Sequence, residues 1–287
     1  ECCGETHFMS VNDWVNTALG GAAVGEMLYR TSSRILDNRA TGTERVLREA
    51  AAFVLTPTRS FTRLVTGTAA RVYDNPESAW DRRPPGSSSS FVLGMRGADS
   101  RRTARGGTLE ETLEPHGFFD IELRSGDLGG LERNRPFDYF RLSTQVNFIR
   151  GRGLGVLRIR GNLWHRDLTK TEGTDAKLVL MQDFEYENNS AFEQGGQGVS
   201  FLYHRESRPW EGDTMAWWAG PSWMILGGVK SELAFAAEVE GIRERFREYD
   251  FGIGPGARVG YEWRRNGRPL LEASYRAQFL ATLHGSA

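Results

Sequence analysis

The chain has 287 residues, a formal net charge of −1 and two cysteines. That length is ample for one barrel plus a small appendage, and the near-neutral balance argues against a nucleic-acid partner, which would call for a basic stripe or patch. Cys2 and Cys3 are adjacent, a spacing that does not suit a disulfide. No set of His and Cys stands at ligand spacing, so neither a metal nor a cofactor is expected.

No stretch approaches the roughly 18 apolar residues of a membrane-crossing helix. There is no basic start followed by an apolar run, so a signal peptide is expected to be absent or already removed, and the initial Glu1 fits a processed or trimmed chain. A mean hydropathy of −0.47 ordinarily marks a soluble protein. A transmembrane barrel gives the same index, because only alternate residues face lipid. The short basic run Arg101-Arg102-Thr103-Ala104-Arg105 sits among Gly, Ser and Thr and reads as a solvated loop.

In chain order, residues 10–70 carry helical period. Ser10 is the expected N-cap, followed by Val11, Trp14, Val15, Ala18 and Leu19 at helical spacing. Gly20-Gly21 is expected to interrupt, after which Ala22, Ala23, Met27, Leu28, Ile35 and Leu36 continue the pattern. A second helix is predicted from near Thr43, with Val46, Leu47, Ala50, Phe53 and Val54, and Pro57 should end or bend it. Ser60 to Thr66 forms a third short element. Gly21 and Gly25 make a small face that either breaks the helix or admits another backbone. Residues 75–90, with Pro76, Pro84, Pro85, Gly86 and the four serines of 87–90, read as a linker between a helical segment at 1–74 and a β region at 91–287.

Strand period then takes over. Phe140, Leu142, Val146 and Phe148 alternate with Arg141, Ser143, Gln145 and Asn147, the pattern of a strand wet on one face. Leu157 and Ile159 alternate with Arg158 and Arg160; Phe184 and Tyr186 with Asp183, Glu185 and Glu187; Val199, Phe201 and Tyr203 with Ser200 and His204. Further on, Phe235 and Val239 alternate with Glu238 and Glu240, Val259 and Tyr261 with Arg258 and Glu262, and Leu271 and Tyr275 with Glu272 and Arg276. Weaker candidates lie at 88–96, 117–125 and 214–225. With turns at Gly151-Arg152-Gly153, Gly173, Gly227-Gly228 and Asn266-Gly267, the expected fold is a mainly β, antiparallel up-and-down barrel of about 10–12 strands, incomplete in this chain if more strands follow.

Alternation alone does not say which face is inside. Aromatic residues gather toward the strand ends (Tyr139, Phe140, Tyr203, Trp217, Trp218, Trp223, Tyr261 and Trp263), as an interfacial girdle would require. Both signs of charge are interleaved on the polar parity, a set that can neutralise itself within a cavity. The predicted arrangement therefore points the apolar parity to outer-membrane lipid. It lines the lumen with Arg141, Arg158, Arg160, Asp183, Glu185, Glu187, Glu238, Glu240, Arg258, Glu262, Glu272 and Arg276.

Certain motifs resemble a family of uncharacterised bacterial envelope proteins, known as a domain of unknown function. They are Ser10-Val11-Asn12-Asp13, Thr17-Ala18-Leu19-Gly20-Gly21, Gly25 to Arg30, Ser32 to Asp37, and Glu44-Arg45-Val46 with Arg48-Glu49, Pro57 and Arg59. Asn188 to Glu193, Gly195-Gly196-Gln197 and Leu226 to Ser231 are similar to the same family. The resemblance implies a helical motif ahead of a β-rich region and a place in the outer membrane of a Gram-negative bacterium. It carries over no catalytic residue. The end at Leu283 to Ala287 lacks the aromatic last residue of many outer-membrane barrels, from which later strands or a different closure are expected.

Catalytic candidates are weak. His284 and Ser286 have the His-x-Ser spacing of outer-membrane lipid deacylases, but their parity sends them to the lumen, away from a lipid substrate. His204 with Ser200 and Asp183 shares the inward parity, where polar filling is the simpler account. His116 and His165 sit beside expected turns and read as exposed. The carboxylates of Glu185 and Glu187, or of Glu238 and Glu240, would lie about 6.5–7 Å apart along a strand, yet so many arginines favour internal ion pairing. Gly252, Gly254 and Gly256 lack the helix of a phosphate loop and more simply permit a bend.

The resulting expectation is a non-enzymatic outer-membrane protein (a plugged pore, a scaffold or part of an envelope complex). Its N-terminal helices would plug the lumen, cap its periplasmic mouth or meet envelope partners. The alternatives are a lipid-modifying barrel hydrolase and a soluble barrel that binds a small apolar ligand.

Overall fold

The computed structural model describes residues 11–75, 88–103, 109–131, 135–148, 153–188, 193–230 and 249–284. Three helices come first: α1 (Val11–Ile35), α2 (Gly42–Leu55) and α3 (Pro57–Val65). Pro57 occupies the first turn of α3, where its missing N–H costs nothing. α1 runs without a break through Gly20-Gly21, contrary to the interruption expected there. Its neighbours hold it: the Leu19 carbonyl accepts a hydrogen bond from Gln182 Nε2 at 3.1 Å, and a Cβ on Gly20 would come within 3.1 Å of Gln197 Nε2. Close packing on a sheet offsets the cost of about 1 kcal/mol for each helical glycine.

Arg45 ties the helical unit together. Its buried guanidinium donates to the carbonyls of Asn38 (3.2 Å), Ala40 (3.1 Å), Thr68 (3.0 Å), Ala69 and Arg71. Arg63 bonds Glu49 at 2.6 Å, and Arg59 donates to the hydroxyls of Ser32 and Ser33 while lying 4.2 Å over the Tyr29 ring.

The β region has ten strands among the described residues: β1 (Ser88–Thr103), β2 (Leu109–Ser125), β3 (Phe140–Asn147), β4 (Leu154–Thr171), β5 (Thr174–Asn188), β6 (Glu193–Ser207), β7 (Asp213–Lys230), β8 (Tyr249–Arg265), β9 (Arg268–Gln278) and β10 (Ala281–His284). Each strand from β1 to β8 pairs antiparallel with the next. β9 and β10 both pair with β8, β9 along Gly256–Arg265 and β10 along Phe251–Ile253, so ten segments fill nine positions. The result is a curled half-barrel of the mainly β class.

Asn266-Gly267, with φ of 50° and 74°, makes the two-residue hairpin turn that favours such residues, and Gly173 likewise has a positive φ. Gly227-Gly228 is not a turn. Both lie inside β7, paired with Gly252 and Phe251, where backbones pass closely. Strands are longer than alternation alone indicates, so His116 and His165 fall inside β2 and β4 and are buried rather than exposed.

The two faces of the sheet differ. α1 rests on the apolar one: Ala23 and Met27 pack with Phe137, Phe140, Leu142 and Ile159, and Val24 and Leu28 meet the same cluster. Arg30 secures the helix to the β2–β3 connection through Asp138 (2.8 Å) and the Pro136 carbonyl (3.0 Å). The expectation that the helices fill the cavity is therefore corrected for α1, which lies on the face opposite the charged side chains. Phe140 is covered by this helix, and Tyr139 and Trp218 join a buried cluster on the charged side, so these three do not belong to an exposed aromatic band. Trp217 and Trp223 remain exposed on the apolar face.

Candidate functional site

The charged parity forms one continuous surface, and its register explains its electrostatics. Arg124, Arg141 and Arg160 stand in a row across β2, β3 and β4. On the far side, Glu262 and Glu272 stand opposite each other on β8 and β9. Like charges side by side repel, and the curl resolves the repulsion by closing one row on the other. Arg124 makes a two-toothed pair with Glu262 at 2.7 and 2.9 Å, and Arg141 pairs with Glu272 and, at 2.7 Å, with Glu122. The Arg124–Glu262 and Arg141–Glu272 contacts reach from β2 and β3 across to β8 and β9, so this face is concave.

A second exchange lies alongside. Arg258 and Arg276 are direct neighbours on β8 and β9. Arg258 reaches Asp183 (3.5 Å) and Glu185 (3.3 Å) on β5, and Arg276 reaches Glu185. Arg160 holds Asp183 at 2.8 Å and Arg158 holds Glu187 at 3.2 Å. All ten predicted charged residues that fall in the described strands thus share one face, and each has an ion-pair partner on it. Glu238 and Glu240 lie outside the described residues.

One end of the concavity is filled. The connection between β2 and β3 folds back so that Leu128 and Leu131 pack with Tyr139, Val179, Met181 and Leu202, with Trp218 against them. Lys177 is buried there and donates to the Leu131 carbonyl at 2.6 Å. Arg264 secures the same connection through Asp127 (3.4 Å) and also pairs with Glu206 of β6 (2.7 Å). Beyond it, a cavity of about 260 Å³ is lined by Arg158, Arg160, Glu185, Arg258, Ser274 and Arg276, among others.

The catalytic candidates do not assemble. Ser200 Oγ donates to Asp183, but His204 lies four residues further along β6, roughly 13 Å at strand rise. It faces instead the space bounded by Arg124, Tyr139, Trp218 and Glu262. His284 is the last residue of β10 and Ser286 lies outside the described residues. Gly252, Gly254 and Gly256 are strand residues of β8. Among the described residues there is no group of three or more His, Cys, Asp or Glu placed to hold a metal, and no helix long and apolar enough to cross a membrane.

Sequence reasoning missed Glu122, Arg124 and Ser222. The signal was present for the first two, since Asp120, Glu122 and Arg124 alternate with Phe119, Ile121 and Leu123. Ser222 had none, lying in a strand where Gly220 and Pro221 blur the alternation.

No curated protein and no solved structure matches the chain. A domain of unknown function, DUF3943, is found at residues 1–58, the segment that carries α1, α2 and the arginine that binds them.

Proposed function

We propose that this protein is a non-enzymatic outer-membrane β-barrel protein of a Gram-negative envelope, with lipid against its apolar face and a polar lumen on its concave face. One observation carries the reading. On the apolar parity Phe201, Trp217, Trp223, Val259, Leu271 and Tyr275 stand exposed on neighbouring strands, Tyr275 by 70%. A contiguous apolar band of that size is unfavourable in water, and hydrocarbon is the medium that suits it while arginines and glutamates satisfy one another inside.

In this reading the short turns at Gly173 and Asn266-Gly267 face the periplasm, β1 begins on that side, and α1 covers its own part of the apolar face, over Phe140, Leu142 and Ile159, in place of lipid. The plug of that end is the β2–β3 connection. α2 and α3 are free to meet an envelope partner, with Leu47, Val54, Phe61 and Leu64 exposed.

The test is tryptophan fluorescence of the full chain reconstituted in vesicles whose acyl chains carry bromine. Quenching is expected, and Trp217→Phe and Trp223→Phe should each remove part of the quenched emission while Trp218→Phe does not. A chain that stays monomeric in solution without detergent and shows no quenching would overturn the proposal in favour of a soluble barrel.

A further inference from the structure

The two short helices α2 and α3 are inside out for a protein in water. Their buried residues are Arg45, Ala52 and Ser60. Leu47, Phe53 and Val54 of α2 and Phe61, Leu64 and Val65 of α3 are exposed, Val54 by 81% and Val65 by 71%. The polar faces turn inward instead. Arg59 donates to the hydroxyls of Ser32 and Ser33, Arg63 to Glu49 and Asn38, and Arg45 to its five carbonyls. A helix at a water surface hides its apolar stripe and shows its charged face to solvent. The inversion calls for an apolar medium outside the unit.

Two further observations point to lipid as that medium. Hydroxyls on these helices are satisfied one turn back, Thr56 by the Ala52 carbonyl (3.0 Å), Thr62 by that of Thr58 (3.0 Å) and Thr66 by that of Thr62 (2.8 Å). A helical threonine disposes of its donor in this way where water is absent. Residues 50–73 also contain Arg59, Arg63 and Arg71 but neither aspartate nor glutamate, and Glu49 just before them is held by Arg63 at 2.6 Å. An apolar face whose own stretch carries only arginine as charge suits anionic lipid, with acyl chains against the apolar side chains and headgroups against the guanidiniums.

The unit stands at the level of a bilayer surface. α1 follows the apolar face of the sheet from Leu19, bonded to Gln182 within β5, to Arg30, bonded to Asp138 just ahead of β3. α3 is fastened to the last turns of α1 by Arg59, so the outer faces of α2 and α3 continue from the apolar face at the end where β3 begins.

We propose that the outer faces of α2 and α3 dock on an anionic phospholipid leaflet, with Val54, Phe61, Leu64 and Val65 sunk about 5–10 Å into the boundary between headgroups and acyl chains. This deepens the proposed function by naming the partner of the helical unit, and it rests on that reading only for which membrane and which leaflet are meant.

The test uses an environment-sensitive fluorophore on the full chain, attached at Val54→Cys or Leu64→Cys after Cys2→Ser and Cys3→Ser. Arg39→Cys, in the exposed and polar α1–α2 loop, is the reference position. In vesicles of phosphatidylcholine and phosphatidylglycerol, the labels at 54 and 64 should shift to the blue. Bromine placed near the headgroups should roughly halve their emission, and bromine at the chain ends should quench them less, as for a face lying in the interface. Labels at 54 and 64 that match the Arg39→Cys label in colour and escape both bromines would overturn the proposal. Blue-shifted labels that neither bromine reaches would overturn it too, in favour of a second copy covering the face. Quenching unchanged in phosphatidylcholine alone would overturn the assignment to anionic lipid. The label is read apart from tryptophan, so unquenched labels beside quenched Trp217 and Trp223 sink this proposal alone. Quenched labels beside unquenched tryptophans sink the barrel reading and leave the helical face on lipid.

Discussion

Arg124 and Glu262 form a bidentate ion pair although five strands and 138 residues separate them. Only a sheet that curls can bring β2 to β8, so the pair is a direct measure of closure. Both side chains are largely buried, and removing one partner strips the other of its bidentate counter-charge, leaving Glu262 only the longer contact to Arg264 at 3.8 Å. Such losses cost about 3–5 kcal/mol. Arg124→Ala and Glu262→Ala should each lower the urea midpoint of the detergent-solubilised protein accordingly. The double substitution Arg124→Met with Glu262→Leu should recover most of the loss, since it removes both charges together. A drop below about 1 kcal/mol in both single variants would mean that the pair is as weak as a surface contact.

Met27 holds α1 against the sheet. It is fully buried between the helix and the cluster of Phe137, Phe140, Leu142 and Ile159. Met27→Ala removes contacts and leaves a cavity, for about 2–5 kcal/mol. The loss falls on the docking of one helix, so amide exchange over residues 11–35 should accelerate while β5 and β6 keep their protection. Uniform acceleration of helix and strands would instead show that α1 and the sheet open as one unit.

The strands were legible because each lies wet on one side, and that asymmetry writes itself as period two. Phe140 and Arg141 announce their opposite faces by their chemistry alone. Which parity is concave was a matter of charge balance, and the alternation could not show that Arg124 meets Glu262 or Arg141 meets Glu272. Those contacts depend on the curl, a property of the whole sheet. The seat of α1 was illegible for a related reason. An apolar strand face looks the same in sequence whether lipid or a helix covers it, so Phe140 read like Phe201. Gly20-Gly21 misled because intrinsic propensity was weighed without the tertiary contacts that hold it.

Asp37 offers a pH dependence outside the strands. Hydrogen bonds from the Arg39 backbone N–H (3.0 Å) and the Asn75 side chain (2.6 Å) hold its carboxyl below the usual range, against a small opposing effect of desolvation. A depressed folded pKa means that stability is present above the unfolded value near 3.8 and is lost as pH falls through the folded value. Acidification below about pH 4 should therefore loosen residues 71–75 from the α1–α2 loop. Amide exchange or proteolysis near Asn75 would record it, and Asp37→Asn should flatten the pH response without unfolding the helices. An unchanged acid response in Asp37→Asn would assign the effect to another carboxyl.

Arg45 carries the most specific prediction. A guanidinium has five N–H donors in a rigid fork, and in the helical unit five carbonyls receive them, from Asn38, Ala40, Thr68, Ala69 and Arg71. Three of those acceptors lie beyond residue 58, so the helical unit reaches further than the matched domain of unknown function. Lysine offers three donors from one point and cannot span the same carbonyls. Arg45→Lys should therefore fail to rescue Arg45→Ala, with both losing at least about 3 kcal/mol of helical-unit stability as several buried carbonyls go unpaired. Helical circular dichroism on heating would show an early transition for both variants while the strand signal persists. Rescue by lysine would mean that charge alone suffices there, and that the fork geometry is incidental.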